Sequence, residues 1–303
     1  ALSGWEDLLI AFVVNPRQIS RLNSGPLSKI PNLELIVDSI EAVEALRDKI
    51  TFNISVWVEI DVGQNRTGVL STDVNKIVSI SKAVSSSLRM KLCGLLTHAG
   101  QTYHANSRSE IEGIHSKSLS VMKSLKLTVE SKIGVVGLKL SYGDTPSLSI
   151  AREIPHEWNE LRPGNFVFFD AMQLRLGSCT EREIGIAVAC PVVSKCDERK
   201  EIVIYGGSVH LSKEFIEIDG KSCYGLVAMP DHKTGWGNII QGASVVSLTQ
   251  EHGVIRFPGS FDHIKIGDLI VVIPVHSCLV VPLLFSYLTL SGRITKTLFC
   301  HQP

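Results

Sequence analysis

Apolar residues along the chain follow two different periods. Through about residue 170, short β-branched runs alternate with longer stretches whose apolar positions recur at helical spacing, the pattern of βα units on a parallel sheet. Runs at 8–14, 33–37, 54–60, 92–98, 137–142 and 165–170 predict six strands. Helices are expected at 16–22, opened by Pro16, at 39–49 with Ser39 as N-cap, and at 72–86, 109–127 and 145–153. Beyond residue 180 the period falls to two between Gly-rich turns, predicting strands at 184–193, 201–209, 215–218, 245–249, 253–257, 269–275 and 279–287. The expected domains are 1–178 and 179–303, divided near Gly177-Ser178. Six βα units are two short of a closed barrel. The fold class is therefore α/β plus all-β: either an open doubly wound sheet or a (β/α)8 barrel incomplete at its N-terminus, followed by a β-sandwich or barrel-like domain.

The apolar run 269–290 contains one ionisable residue, His276, with Cys278 two positions on. Three readings are open. The run can be a core strand with a satisfied histidine and a buried thiol. A strand would also put His276 and Cys278 on one face, where imidazole and thiolate can share a metal. Its length reaches the ~20 residues of a membrane span, although Pro274, Pro282 and the polar His-Ser-Cys centre argue against one helix in lipid.

Composition narrows the partners. With 44% hydrophobic and 20% charged residues the chain is globular in character, and 30 basic against 30 acidic residues leave no global field for nucleic acid or an anionic membrane. Seven scattered cysteines fit free thiols in a reducing compartment, and the N-terminus has no basic segment before an apolar one, so a cytoplasmic protein is expected.

Ligands of parallel α/β folds lie beyond the carboxyl ends of the strands, where this sequence places its polar residues. These are Asp61, Gly63, Arg66 and Gly68; His98 through His104, with Tyr103; Ser141 through Ser147; and Arg162 through Asn165. Gly143-Asp-Thr-Pro146 has the parts of a phosphate cradle, and equally those of a plain strand-to-helix turn capped by Thr145. Arg66 can serve such a site or pair with Asp61 at the surface.

In order, Asp61-x-Gly-x-x-Arg66-x-Gly-Val69, His98-x-Gly-x-x-Tyr103, Gly143-x-Thr-Pro146, Arg162-Pro-Gly-Asn165, Glu251-His-Gly253 and Pro274-x-His276-x-Cys278 span nearly the whole chain. Together they resemble the fold-type III pyridoxal-phosphate enzymes of the D-serine dehydratase and D-threonine aldolase group. The resemblance implies an alanine-racemase-like barrel with a C-terminal β domain, a homodimer, and a PLP- and zinc-dependent lyase acting on small β-hydroxy D-amino acids. It implies that Gly143, Asp144 and Thr145 hold the cofactor phosphate with Gly164 and Asn165. Arg66, His98, Tyr103 and Tyr142 would also line the cofactor, and His276 and Cys278 would bind zinc in preference to manganese. The cysteine looks like the dehydratase branch, since the aldolases typically carry Asp there. The family's Schiff-base lysine belongs to the first barrel strand. Lys29, Lys49 and Lys139 do not stand in such a motif, so the sequence is expected to be the C-terminal part of a longer protein, with D-threonine aldolase-like cleavage or a non-catalytic relative as the alternatives.

Overall fold

The structure, a computed structural model, describes residues 4–297. By internal contacts the chain forms two compact units, Ala1–Gly164 and Asn165–Pro303. The first is built on a parallel sheet in sequential order: β1 (Asp7–Val13), β2 (Asn32–Val37), β3 (Ile54–Asp61), β4 (Met90–His98), β5 (Lys139–Gly143) and β6 (Glu160–Leu161). Between them run α1 (Ile19–Ser24), α2 (Ile40–Lys49), α3 (Val74–Ser85), α4 (Arg108–Ile133) and α5 (Thr145–Ile150). Of the two arrangements that the periodicity leaves open, this is the partial barrel, the one that the resemblance implies.

Helix starts are set locally. Ser39, Asp73, Ser107 and Asp144 each accept a bond from the backbone N–H three residues on, at Ala42, Lys76, Glu110 and Ser147. Each cap of this kind is worth about 1 kcal/mol.

Strand parity then sorts the side chains. Leu33, Leu35 and Val37, then Val56, Val58 and Ile60, then Leu140 and Tyr142, pack with Val43, Leu46, Ile77, Ile80, Met122 and Val129 into the main core. Ile36, Trp57 and Leu96 form a separate small cluster. They lie on the opposite parity, the inner face of the sheet, together with Glu34, Glu59, His98 and Ser141.

The first five strands stand within about two residues of their predicted places, but the sixth does not. Residues 165–170 form a turn: Phe168 and Phe169 both donate their N–H groups to the Asn165 carbonyl, Phe169 takes φ 50°, and Phe166 and Val167 are exposed. Backbone groups spent in that turn are unavailable to a ladder, so Glu160–Leu161 closes the sheet instead.

The second unit contains a closed antiparallel barrel. Its strands are β7 (Val188–Cys196), β8 (Glu201–Tyr205), β9 (Gly225–Ala228), β10 (Ser244–Leu248), β11 (His252–Arg256) and β12 (Leu269–Pro274), joined in the circuit β9-β10-β11-β8-β7-β12. Val192, Ile202, Ile204, Val227, Val245, Ile255, Ile270 and Val272 fill it. The short β9 lacked a sequence signal. The predicted strand at 215–218 pairs outside the barrel, as Ile216–Ile218 with Lys221–Cys223.

The run 269–290 is not one element. After β12 come a short helix, Ser277–Val280, a 3-10 turn, Val281–Leu283, and Ser286–Leu288, which pairs with Ile294–Lys296. The predicted strand at 279–287 is thus replaced, because Pro282 and the N–H of Leu279 bonded back to the His276 carbonyl keep the backbone helical. Among the described residues no helix is long and apolar enough to cross a membrane.

Gly94 is required where β4 passes β5. A Cβ at this position would lie 1.9 Å from the Lys139 carbonyl oxygen and 2.6 Å from its nitrogen, backbone atoms that cannot swing aside. Gly94→Ala is expected to lower unfolding free energy in urea by at least the ~1–3 kcal/mol of an overpacked core; an unchanged midpoint would contradict the close approach.

Candidate active site

At the carboxyl ends of the strands in the first unit, Asp61 builds the loop after β3. Its Oδ1 accepts the N–H groups of Gly63, Gln64 and Asn65 at 2.8, 2.9 and 3.2 Å. Asn65 at φ 57° and Gly68 at φ 98° complete the turn, and a Cβ on Gly68 would fall 2.9 Å from the Asp61 nitrogen. Asp61 is therefore spent on its own backbone and forms no ion pair with Arg66 among the described residues. Arg66 is left exposed, with its charge reaching His98 and Glu59.

Arg162 crosses the ends of β4 and β5. It donates to the Ser141 hydroxyl at 2.8 Å and the Thr97 carbonyl at 2.6 Å, and lies 3.5 Å from Glu160. A Cβ on Gly143 would come 2.8 Å from its Nη1, so the glycine makes room for the guanidinium. Burial brings Arg162 down to about 10, against the pull of Glu160 and Glu59. A buried guanidinium matters more than the exposed pairs elsewhere, since stripping a partner from a buried charge costs about 3–5 kcal/mol and a surface pair contributes about 0–1.

His98 ends β4, paired in register with Gly143. Burial first, then the guanidiniums of Arg66 and Arg162, push its imidazole down to about 4. It is neutral at pH 7, able to donate from one nitrogen and accept at the other. Glu59 is 5% exposed, with Oε2 buried and unpartnered, and burial raises its pKa against the lowering effects of Thr67 and Arg66. Asp38 bonds the Gly68 N–H at 3.2 Å.

The structure thus brings Arg66, His98, Gly143 and Arg162 together, and adds Glu59 and Asp38. Glu59 had a signal in sequence, a lone carboxylate inside an apolar strand. Tyr103 sits half-buried in the 3-10 turn Gly100–His104. Gly164 has open space where a Cβ would be.

Tyr142 and Asp144 lie on the other parity. Tyr142 is fully buried between His115 and Trp158, with ring centroids 4.8 and 4.7 Å away, and donates to Asp144 at 2.5 Å. Asp144 also accepts from the Ser147 N–H and hydroxyl at 2.7 Å, beside buried Thr145. What the turn can offer an anion from these two positions is backbone.

In the second unit His276 and Cys278 do not share the face of a strand, as the period-two reading expected. The ladder ends at Pro274, paired with Gly225; the Val275 carbonyl accepts from Met172, and His276 becomes the N-cap of Ser277–Val280. His276 is half-buried and Cys278 exposed at the residue level. The thiol is desolvated enough that burial raises its pKa, and the Asp170 carboxylate adds to the rise. Among the described residues no three His, Cys, Asp or Glu side chains gather as a metal cluster. An imidazole and a thiol are donor types that zinc accepts.

Residues 17–171 match the family model described as "Alanine racemase, N-terminal domain", and residues 185–290 match "Putative serine dehydratase domain". The chain belongs to the alanine-racemase-like family of fold-type III pyridoxal-phosphate enzymes. Its relatives include a D-serine dehydratase of Dictyostelium discoideum, 26% identical over 93% of this chain and 74% of that protein. Another is a D-threo-3-hydroxyaspartate dehydratase of Delftia sp., 24% identical over 82% of this chain and 66% of that one. In solved structures, an Ala racemase-like protein of Idiomarina loihiensis superposes with TM-score 0.84 over 97% of this chain and 78% of its own at 24% identity. The Delftia enzyme does so with TM-score 0.84 over 97% and 79% at 22% identity. These relatives, and a further D-serine dehydratase of Saccharomyces cerevisiae, are dehydratases by name, that is, lyases.

His98 gives the site a pH signature. Its folded pKa of about 4 lies below the ~6.5 of an unfolded chain, so between these values the unfolded state takes up a proton that the folded state refuses. The stability this represents is intact above about pH 6.5 and is lost as pH falls toward 4. In urea titrations at pH 7 and pH 4.5, His98→Gln is expected to lose less stability between the two than the parent; an equal loss would mean that His98 titrates normally.

Proposed function

We propose that the chain carries the cofactor and metal residues of a PLP- and zinc-dependent lyase acting on a small β-hydroxy D-amino acid, D-serine being the first choice, and that it works as a homodimer. The observation that carries this reading is the cluster of Arg66, His98, Arg162 and Glu59 around Gly143, on a chain whose relatives are named dehydratases.

The residues fit the cofactor in kind. A Cβ on Gly143 would collide with the Arg162 guanidinium, so the glycine keeps that cation at the strand ends, and Glu59 keeps an orphaned carboxylate oxygen in the same cluster. Bound PLP supplies an electron sink for charge developing at the substrate α-carbon. Gly143 and Thr145 would offer backbone N–H groups to its phosphate, with Gly164 and Asn165 contributing. Two guanidiniums, Arg66 and Arg162, draw anionic groups to the strand ends, and neutral His98 can pass a hydrogen bond without adding a third positive charge. His276 and Cys278 would hold zinc, which supplies Lewis acidity toward a β-hydroxyl. Two protein donors leave coordination positions for water and substrate. A solved structure of the Delftia dehydratase with a cysteine replaced by alanine is described as metal-free, which supports the assignment of a cysteine to this role.

The test is pyruvate release from D-serine with PLP and zinc present, on the chain expressed with any sequence that precedes Ala1 in its gene. PLP- and zinc-dependent pyruvate formation is expected. Bound PLP and zinc without turnover would defeat the reading, while glycine and acetaldehyde from D-threonine would decide for an aldolase. Metal analysis checks the second unit independently: His276→Ala is expected to purify without zinc, and unchanged zinc content would return His276 and Cys278 to a structural role.

A further inference from the structure

Between His276 and Cys278 stands Ser277, fully buried, and its backbone N–H is held at 2.8 Å by Oδ2 of Asp170, a carboxylate more than a hundred residues earlier and itself fully buried. The same Oδ2 accepts the side-chain amide of Asn165 at 2.5 Å, and Oδ1 caps the helix Ala171–Arg175 through the Gln173 N–H at 2.9 Å. A second strand of contact runs alongside, with the Met172 N–H donating to the Val275 carbonyl at 3.2 Å. One side chain therefore fixes the peptide that joins His276 to Ser277, one residue before Cys278, and fixes it to a residue that the family motif places with the cofactor.

We propose that Asp170 is a positioning residue for metal binding: by holding the Ser277 N–H it sets the His276-Ser277-Cys278 turn so that imidazole and thiolate converge on one ion. The inference rests on the metal reading given above. Its physical basis is directional. With β12 ended at Pro274 and the helix Ser277–Val280 only one turn long, little regular structure defines the backbone between them. A charged acceptor makes a stronger bond to a backbone N–H than a neutral one does, and groups that orient metal ligands typically carry 10–100-fold in metal affinity.

Asp170→Asn separates this role from capping. The retained oxygen still caps Gln173, because Asn caps as well as Asp. The new amide NH2, however, faces two other donors, the Ser277 N–H and the Asn165 amide, and the turn loses its acceptor. Ser277→Pro removes the other half of the bond and leaves the carboxylate. It stands at the first position of a helix, where proline is tolerated, and follows His276 at φ −135° and ψ 99°, an extended conformation that suits a residue before proline.

Zinc affinity of the full chain is read by competition with a chromophoric chelator, with zinc alone as the probe. The unmodified chain is expected to bind one equivalent that His276→Ala abolishes. Asp170→Asn and Ser277→Pro should each weaken binding 10–100-fold, with Asp170→Glu recovering part of the loss. Ile255→Val, which trims the barrel core, should lower the melting temperature without moving zinc affinity. If the unmodified chain binds no zinc, the metal reading and this inference fall together. If it binds and both Asp170→Asn and Ser277→Pro bind as tightly, the inference alone is overturned. It is also overturned if Ile255→Val weakens zinc as much as they do. Should Asp170→Asn not fold, Ser277→Pro decides.

Discussion

Alternation of side chains along the parallel strands is the constraint on which the first unit depends. Each strand presents one set of residues to the helices and the other to the inner face, and the two sets answer to different chemistry. Outward positions such as Val56, Val58 and Leu140 are mostly apolar because helices cover them, and the buried Thr97 among them gives its hydroxyl to the Ile60 carbonyl. Inward positions alternate between apolar residues, such as Trp57 and Leu96, and the polar ends Glu59, His98 and Ser141. At the strand ends the inward parity carries Glu59 and His98 beside Arg162, whereas Asp144, turned into the helix layer, is buried only with Tyr142 and Ser147 bonded to its carboxylate.

The same alternation explains what was legible in the sequence. Five strands and their helices were readable because parity, period and capping residues agreed at each of them. The sixth was not, because Phe166-Val-Phe-Phe169 has strand composition while its backbone is committed to a turn on Asn165. Arg66, in the loop after β3, and His98, the last residue of β4, were legible as candidates from their places at strand ends. Tyr142 and Asp144 occupy equally suggestive places, yet one residue of offset turns their side chains into the helix layer, where Tyr142, Asp144 and Ser147 satisfy one another. His276 and Cys278 show the reverse case. Their spacing suggested a shared strand face, and the structure supplies instead a capped turn whose geometry depends on Asp170, a contact too distant in sequence for any local pattern to show.

Polar groups in the two units are held in contrasting ways. At the strand ends of the first, burial is the leading influence: with the two arginines it keeps His98 neutral, and it raises Glu59 against the opposing pull of Thr67 and Arg66. In the second unit a single carboxylate, Asp170, gathers three N–H donors that would otherwise be orphaned in the interior. The first arrangement suits recognition of charged groups. The second suits rigidity, since a fully satisfied buried acceptor has few alternative arrangements of similar energy.

The closed circuit of β7 to β12 has a consequence for motion. Every strand in that ring has a neighbour on both sides, so its amides have no edge from which to open singly and should exchange with solvent through opening of the ring as a cooperative unit. The described sheet of the first unit ends instead at β1 and at the two-residue β6, where amides can be released a few at a time. Arg162, one residue beyond β6, donates back to Ser141 and to the Thr97 carbonyl, so its guanidinium ties that releasable edge to the inner strands β5 and β4.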